Sequence, residues 1–594
     1  MREMRAAVFW GVGLVAAALY LTGLGQAPFV DPPEGLHAAI TQEMATRGDW
    51  ITPHFDGVRY FDKPPLLYWL MAAGFWLVGP SEWAARFWSA LAALGTALLT
   101  VRLGTLLGAQ RLGLIAGLLV ISNLEFFVFG RLVKPDLIFV FLIALALCEF
   151  ARAYAEASRP ALLICYAALG ASVLAKDLLG AVGPVAVIAL FFLLMRERPV
   201  PARWLPWSGL AVFAVIAVPW YLAVEWKNHG FLWYTIVDNH LLNFSRQRVF
   251  PDEDVPLTAL EFLGVTAIGF FPWSLFLPWA LVRVVRSSWQ GVEARLWLLL
   301  GLWSAAVLVF FTLSPFKLPH YGLPAFPAMA LLVAKLWDDS FDGLRGAPSP
   351  RMLLAPPLVV LAGLAGFCFM AWRGEVSLPS STLSLADLYS RNLGAQGQTA
   401  PFIPYSQLQP LLATLTLIFG LGSLGLTVAV WRALPRFGLG VLLGVMVAFL
   451  PVTGVGLTAF ARARSVGPVT ELLTAASGPG DLLVHEGALE NSGSLLLAVN
   501  RPVKIVNGLR SNLAFGATFP EARETFWEVT DLREAWGEDG RVFLVSVLPP
   551  ERSVVRALPE SRVHLLLQYG GRWLYSNRPL AGNDPTRSRL SKAR

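Results

Sequence analysis

The residues with the widest chemical range lie in one stretch, FVDPPEGLHAAITQEMATRGDWITPHFDGVRYFDK, from Phe29 to Lys63. Asp31, Glu34 and His37 are spaced three apart there. Pro32 and Pro33 stop any preceding helix and fix the local backbone, so a helix starting near Pro33 would place Glu34 and His37 on one face. Either carboxylate could serve as general base towards a hydroxyl; the bland alternative is a solvated acid at a membrane exit. Lys63 stands in YFDKPP, directly before an apolar run. A lone ammonium there is a compact point-charge contact for a phosphate, or a lysine snorkelling to the interface. Lys134 and Asp136 repeat the mixture in GRLVKPDLIF, where Asp136 opens a helix after Pro135 and suits its positive end. Lys317, His320 and Tyr321 stand in SPFKLPHYGLPAFP. Its four prolines disrupt the helix start, and irregular backbone at membrane depth usually lines a cavity. Arg59 and Tyr60 sit close to Lys63, and His54, Asn239, His240, Arg246 and Arg248 complete the polar set.

Elements must hold these groups, and composition says what kind. Hydrophobic residues make up 56% of the 594 and charged residues only 15%, with a mean hydropathy of +0.58. Such a chain is a polytopic membrane protein, mostly α. The net charge of +7 is spread over many loops, which suits topology and anionic-lipid contact and speaks against nucleic acid as a partner. Cys148, Cys165 and Cys368 all fall in apolar runs, so no disulfide framework is expected. MREMR followed by AAVFWGVGLVAAALYLTGLG reads as an uncleaved anchor rather than a signal peptide, because the run can span and more spans follow.

Apolar runs of about 17 to 25 residues predict helices near 6–24, 84–107, 112–130, 136–154, 161–176, 178–195, 205–225, 257–282, 295–313, 320–336, 352–372, 406–431 and 438–460, about thirteen in all. The run at 64–80 is ambiguous, and charge decides it. If it lies in the interface, the loops at 196–203, 283–295, 335–351 and 431–438, all bearing arginine, share the side of MREMR. If it spans, they move outside, against the preference of Arg and Lys for the cytoplasm. It is therefore read as a juxtamembrane helix. Under this parity the loop 27–63, the turn 134–136, the loop 226–256, the turn 314–322 and the tail 461–594 share one outer face, where the chemical groups converge.

The chain divides into a membrane part, 1–460, with a catalytic first outer loop at 27–80, and a tail, 461–594. Short β-branched runs in the tail alternate with the acidic, helix-prone EARETFWEVTDLREAW, which predicts a small α/β domain. No P-loop, Cys/His metal array, Ser/His/Asp constellation or internal repeat is visible. A divalent metal is compatible with the acids but has no ligand pattern of its own, and no cofactor is called for.

DPPEGLHAAITQEMATRGDWITPHFDGVRYFDKPPLLYW, WAARFWSAL, RLVKPDLIF, LAKDLLG, PWYLAV, FFPWSLFLPWAL and SPFKLPHYGLPAFPAMALL, in that order over roughly 1–340, resemble the bacterial aminoarabinose (lipid A) transferases and their relatives. These belong to the dolichyl-phosphate-mannose protein mannosyltransferase superfamily, of GT-C fold. The resemblance implies an inner-membrane, multi-pass glycosyltransferase with its active site on the periplasmic side and a periplasmic C-terminal domain. It implies transfer, with inversion, from a polyprenyl-phosphate sugar to a lipid A-like or other envelope glycan or lipid acceptor. By motif, Asp31 or Glu34 matches the first acidic site, Lys63 the donor-phosphate lysine, Asp136 the second outer acid, and Lys317 with Tyr321 the later outer turn. Lys317 and Arg59 are the further phosphate candidates, and His37, Tyr60, His320 and Tyr321 the substrate candidates. The family's adjacent Asp-Glu pair reads Pro33-Glu34 here, its following arginine reads Leu36, and the glycine often found after LAK is Asp177. These departures suit a relative with another sugar or acceptor. A lipid or sugar transporter and an inactive assembly partner of the same fold are the competing classes. Neither oligomeric state nor the identity of the sugar is legible.

Overall fold

The computed structural model describes the chain except for residues 1, 109, 197–199, 251–253, 287–288, 345, 377–386, 396–402, 500, 510 and 581–594. Parts of the expected outer loop 226–256 and the end of the expected C-terminal domain lie outside the described residues.

Every apolar run predicted above is helical. Seven described helices are long and apolar enough to cross a membrane by themselves, and a pair bent by 108°, Ala259–Gly269 with Trp273–Val285, makes an eighth if it is one span. Other expected spans are shorter or broken. The run 112–130 divides into Gln110–Ile121 and Leu124–Phe129, because Asn123 caps a fresh helix by accepting the Phe126 N–H at 3.0 Å. The run 320–336 opens as a tight 3₁₀ turn, Pro319–Ala325, before Phe326–Phe341. Leu66–Val78 has 13 residues, about 20 Å of helix against a hydrocarbon core of about 30 Å, and its Trp76 is 85% exposed. Those properties fit a helix lying in the interface.

Between the first and second apolar segments the chain builds a small platform. Helix Glu34–Arg47 ends at Gly48, whose φ of 67° is left-handed. Strands β1 (His54–Phe55) and β2 (Val58–Arg59) follow, paired antiparallel. Asp56 and Gly57 connect them with positive φ at both positions, the backbone that an Asp-Gly hairpin turn requires.

The last helix of the bundle runs on to Arg464. Beyond it lie β3 (Leu482–Glu486), β4 (Lys504–Val506), β5 (Phe526–Trp527), β6 (Val542–Ser546), β7 (His564–Tyr569) and β8 (Arg572–Ser576), in the order β5-β4-β3-β6-β8-β7. β3, β4, β5 and β6 are parallel, and the β7–β8 hairpin adds antiparallel on the β6 side. The acidic segment expected to be helical is so only from Val529; ahead of it come a 3₁₀ turn and β5. The chain leaves β3 in one direction for β4 and β5, then returns across it to β6. The ends of β3 and β6 therefore flank a topological switch point.

The sheet and the platform share one apolar core, in which Leu36, Ile40, Phe55 and Tyr68 pack with Val469, Leu483, Leu495 and Phe543. Two glycines make the approach close. A β-carbon on Gly35 would stand 2.2 Å from the Ser494 nitrogen, and one on Gly493 would stand 2.5 Å from the Leu36 nitrogen. Asp56 accepts the Val503 N–H at 3.1 Å. Asp31, fully buried, accepts the Ser494 N–H at 3.1 Å and the Ser494 hydroxyl.

Burial raises Asp31 from 3.8 to about 6, against the opposing pull of Arg572 and the Ser494 hydrogen bonds. An acid with its folded pKa above its unfolded value holds its proton more firmly when folded. Its contribution is thus largest below about pH 4 and declines as pH rises to about 6. The stability of the wild type relative to Asp31→Asn is expected to fall across that window by roughly 3 kcal/mol and to stay level above it. Thermal unfolding of both proteins from pH 4 to 8 checks this; a flat difference would show that Asp31 titrates normally.

Candidate active site

A cavity of about 1500 Å³ lies where the polar loops meet the helices. Its deep part is apolar, with Ile143, Leu147, Val187, Val307, Leu411 and Leu457 on its walls, and its polar part is built by the expected loops. Lys63 comes from the platform, Lys134 and Asp136 from the turn, Asn239, His240 and Arg248 from the 226–256 loop, and His320 and Tyr321 from the proline-rich turn. Four stretches far apart in sequence thus meet in one space.

The charges there are matched in pairs. Lys63 Nζ stands 2.7 Å from Asp62 Oδ2. Burial by itself would lower the Lys63 pKa, but Asp62 more than offsets this and holds the ammonium above its ordinary value. Asp136 Oδ1 receives Lys176 Nζ at 2.6 Å, and His320 Nε2 lies 3.4 Å away. Lys176 Nζ also sits 4.8 Å from the centre of the Tyr321 ring. Lys134 contributes a third ammonium, 5.3 Å from the centre of the Phe129 ring, and burial lowers its pKa. His320 is pushed well below the usual imidazole range by burial, with Lys134 and Lys176 adding to the effect against Asp136. His37 lines the same space, with Nδ1 3.1 Å from the Tyr68 hydroxyl. Burial, then the charges of Lys63 and Lys134, lower its pKa to about 3. Burial thus biases both imidazoles towards the neutral form. Tyr60 lines the cavity too, its hydroxyl 3.4 Å from Asp62.

Other expected site residues are placed elsewhere. Glu34 does not line the cavity. Its two oxygens receive Arg86 Nε at 2.8 Å and Nη2 at 2.7 Å, and the N–H groups of Val30 at 2.9 Å and Val133 at 2.8 Å. Four donors occupy its lone pairs, which leaves none to take a proton from an acceptor. Asp31 faces Ser494, as described above. Arg59 pairs with Glu521, donates to Asn228 at 2.8 Å and lies 4.1 Å over the Phe519 ring, tying the platform to the C-terminal part. Lys317 is buried, and its neighbours Phe316 and Leu318 line the cavity while it does not; it stands ahead of the 3₁₀ turn, beside the extended Leu318, and in extended backbone successive side chains point to opposite sides. His54 is buried in the first strand of the platform hairpin and Arg246 is exposed. No group of three or more His, Cys, Asp and Glu side chains is placed to hold a metal ion among the described residues.

Arg59→Ala would remove a partly exposed ion pair, a hydrogen bond and a ring contact. A loss of about 1–2 kcal/mol in thermal stability is expected, with ligand binding in the cavity unchanged. A binding loss equal to that of a lysine removed from the cavity would return Arg59 to the site.

Three participants carried a signal that spacing by itself did not decode. Arg86 lies in an apolar helix, WAARFWSAL, where a charge must find a partner. Lys176 stands between two apolar runs in LAKDLL. Asp62 immediately precedes Lys63.

The family model for dolichyl-phosphate-mannose-protein mannosyltransferases matches residues 36–235. The undecaprenyl phosphate-α-4-amino-4-deoxy-L-arabinose arabinosyl transferase of Aeromonas salmonicida is 31% identical over 333 residues, 55% of this chain and 59% of that protein. Its counterpart from Edwardsiella ictaluri is 29% identical over 350 residues, 56% and 59% of the two chains. The matched region thus covers 59% of the length of these relatives. The crystal structure of ArnT from Cupriavidus metallidurans bound to undecaprenyl phosphate superposes with a TM-score of 0.77 at 23% identity, covering 98% of this chain and 99% of that one. The chain therefore has the fold of that ArnT structure, and its residues 36–235 are similar to the dolichyl-phosphate-mannose-protein mannosyltransferases.

Proposed function

We propose that the chain is a membrane-embedded glycosyltransferase that moves a sugar, with inversion, from a polyprenyl-phosphate donor to a cell-envelope lipid or glycan. One observation carries this reading: a largely apolar cavity of about 1500 Å³ is also lined by three lysines, Lys63, Lys134 and Lys176, and by the carboxylates of Asp62 and Asp136. The bacterial inner membrane and its outer face are part of the proposal, supported by the distribution of arginine among the loops and by the relatives.

In the reaction, the acceptor oxygen attacks the anomeric carbon from the face opposite the phosphate. The anomeric C–O bond breaks, and its electron pair leaves on the phosphate. That phosphate departs without needing a proton at neutral pH, so cations rather than an acid assist it. Lys63 is the principal contact, with Lys134 and Lys176 adding to the field that stabilises the growing charge. A hydroxyl acceptor must lose its proton, and Asp136 is assigned that task, because Glu34 and Asp31 are engaged elsewhere. An acceptor phosphate is already ionised, and Asp136 would then orient it. Three positions that depart from the aminoarabinose transferase pattern, Pro33, Leu36 and Asp177, all line this cavity. The sugar and acceptor of those relatives are therefore not carried over.

The direct test is binding of undecaprenyl phosphate to purified protein and to Lys63→Ala. The substitution is expected to weaken binding about 10- to 100-fold, the worth of one charge-assisted contact. Unchanged affinity would remove Lys63 from the phosphate site. Incubation with a polyprenyl-phospho-sugar and membrane acceptors then separates transfer, which alters the acceptor's mass, from transport or scaffolding, which do not.

A further inference from the structure

The switch point of the C-terminal sheet is closed to ligands from within. Glu486, at the end of β3, accepts the hydroxyls of Ser546 and Ser553 and the Val554 N–H. His485 is bonded to the Gly487 carbonyl and the Ser492 hydroxyl, each at 3.0 Å. The loop that a doubly wound sheet would normally offer to a ligand at this place instead turns towards the membrane cavity. Glu490 and Asn491 from this loop, and Asn512 from the segment after β4, line the same space as Lys63 and Asp136.

Both elements are held firmly. Gly493 abuts the backbone of Leu36, and Arg572, fully buried, donates to the Asn491 carbonyl. Close to Asn512, Phe515 stacks on Tyr234 with ring centres 4.6 Å apart and planes 7° from parallel, and meets Phe61 at 5.2 Å. The amide oxygens of Asn491 and Asn512 are buried and have no hydrogen-bond partner among the described residues. Unmatched buried acceptors call for a donor. Glu490 adds negative charge, close enough to Tyr60 to oppose ionisation of that phenol. The sheet region thus adds two amides and a carboxylate to a lining whose lysine–carboxylate pairs come from the loops and helix ends.

We propose that Glu490, Asn491 and Asn512 form the subsite for the donor's sugar ring, accepting from its hydroxyl or amino groups and disfavouring a sugar that bears a carboxylate. This rests on the donor reading given above and deepens it. The sheet region then acts as the selectivity wall of the membrane site rather than as a separate binding module.

The test compares the affinity of purified full-length protein for three probes: undecaprenyl phosphate, undecaprenyl-phospho-hexose and undecaprenyl-phospho-hexuronate. Wild type is expected to hold the hexose form about tenfold tighter than undecaprenyl phosphate, the worth of two modest hydrogen bonds, and to hold the hexuronate form no tighter than undecaprenyl phosphate. In Asn491→Leu/Asn512→Leu the tenfold gain disappears while undecaprenyl phosphate binds as before, which also reports an intact fold. Asn512→Ala serves in its place if the double variant does not fold, and is expected to lose about half of the gain on a logarithmic scale. Glu490→Gln is expected to raise the affinity for the hexuronate form several-fold. Equal affinity of wild type for the hexose form and undecaprenyl phosphate, or a gain that survives the substitutions, would overturn the subsite. Failure of wild type to bind undecaprenyl phosphate at all would instead overturn the donor reading.

Discussion

Glu34→Ala is expected to cost about 3–5 kcal/mol of stability, which would leave little folded protein in detergent. Arg86 is only 2% exposed, and its guanidinium also donates to the carbonyls of Leu24, Ala27 and Pro28 at 3.0, 2.7 and 2.9 Å. Together with Glu34 it clamps the end of the first helix, the start of the platform helix and the backbone at Val133, three segments that must meet for the cavity to exist. Removing the carboxylate leaves a buried cation with carbonyl partners but no counter-charge, and frees the N–H groups of Val30 and Val133. Glu34→Gln keeps the shape and should cost less. Glu34→Leu/Arg86→Met should be less damaging than the sum of its two single changes, because no lone charge stays buried. Thermal unfolding of the four proteins measures the coupling. Normal stability with lost turnover in Glu34→Gln would instead restore Glu34 to the chemistry.

Asp136→Asn should leave a folded protein that binds undecaprenyl phosphate but transfers poorly. With a hydroxyl acceptor the rate should fall about 10²- to 10⁴-fold, the usual worth of a positioned base. Lys176 would lose its partner at 2.6 Å, and a lysine without a counter-charge binds a phosphate no worse. Donor binding should therefore hold or strengthen while turnover collapses. Single-turnover kinetics with saturating donor separates the two effects. A proportional loss of binding and rate would make Asp136 a scaffold for Lys176 rather than a base.

The expected convergence of polar loops was legible because each motif combined an acid or a cation with a proline beside an apolar run. Lys63, Asp136, His320 and Tyr321 all line the cavity. Glu34 and Asp31 do not line it, and the reason is definite. A carboxylate after a helix-stopping proline looks the same in sequence whether its partner is a substrate or a buried arginine. The partner of Glu34 is 52 residues away and that of Asp31 is 463. Lys317 fell to the same limitation, since residues adjacent in an irregular turn need not face one side.

The sequence by itself determined the helical membrane architecture, because a bilayer selects apolar runs by length and forbids unsatisfied backbone inside it. It also marked which loops carry charge. Only tertiary structure decided which charges pair with protein and which face the cavity. Pairing depends on distances of a few ångströms between segments separated by tens to hundreds of residues, and no local spacing encodes those. The place of the sheet was decided the same way: two glycines, Gly35 and Gly493, allow it to seat directly on the platform, so that a region without a recognisable motif becomes a wall of the site.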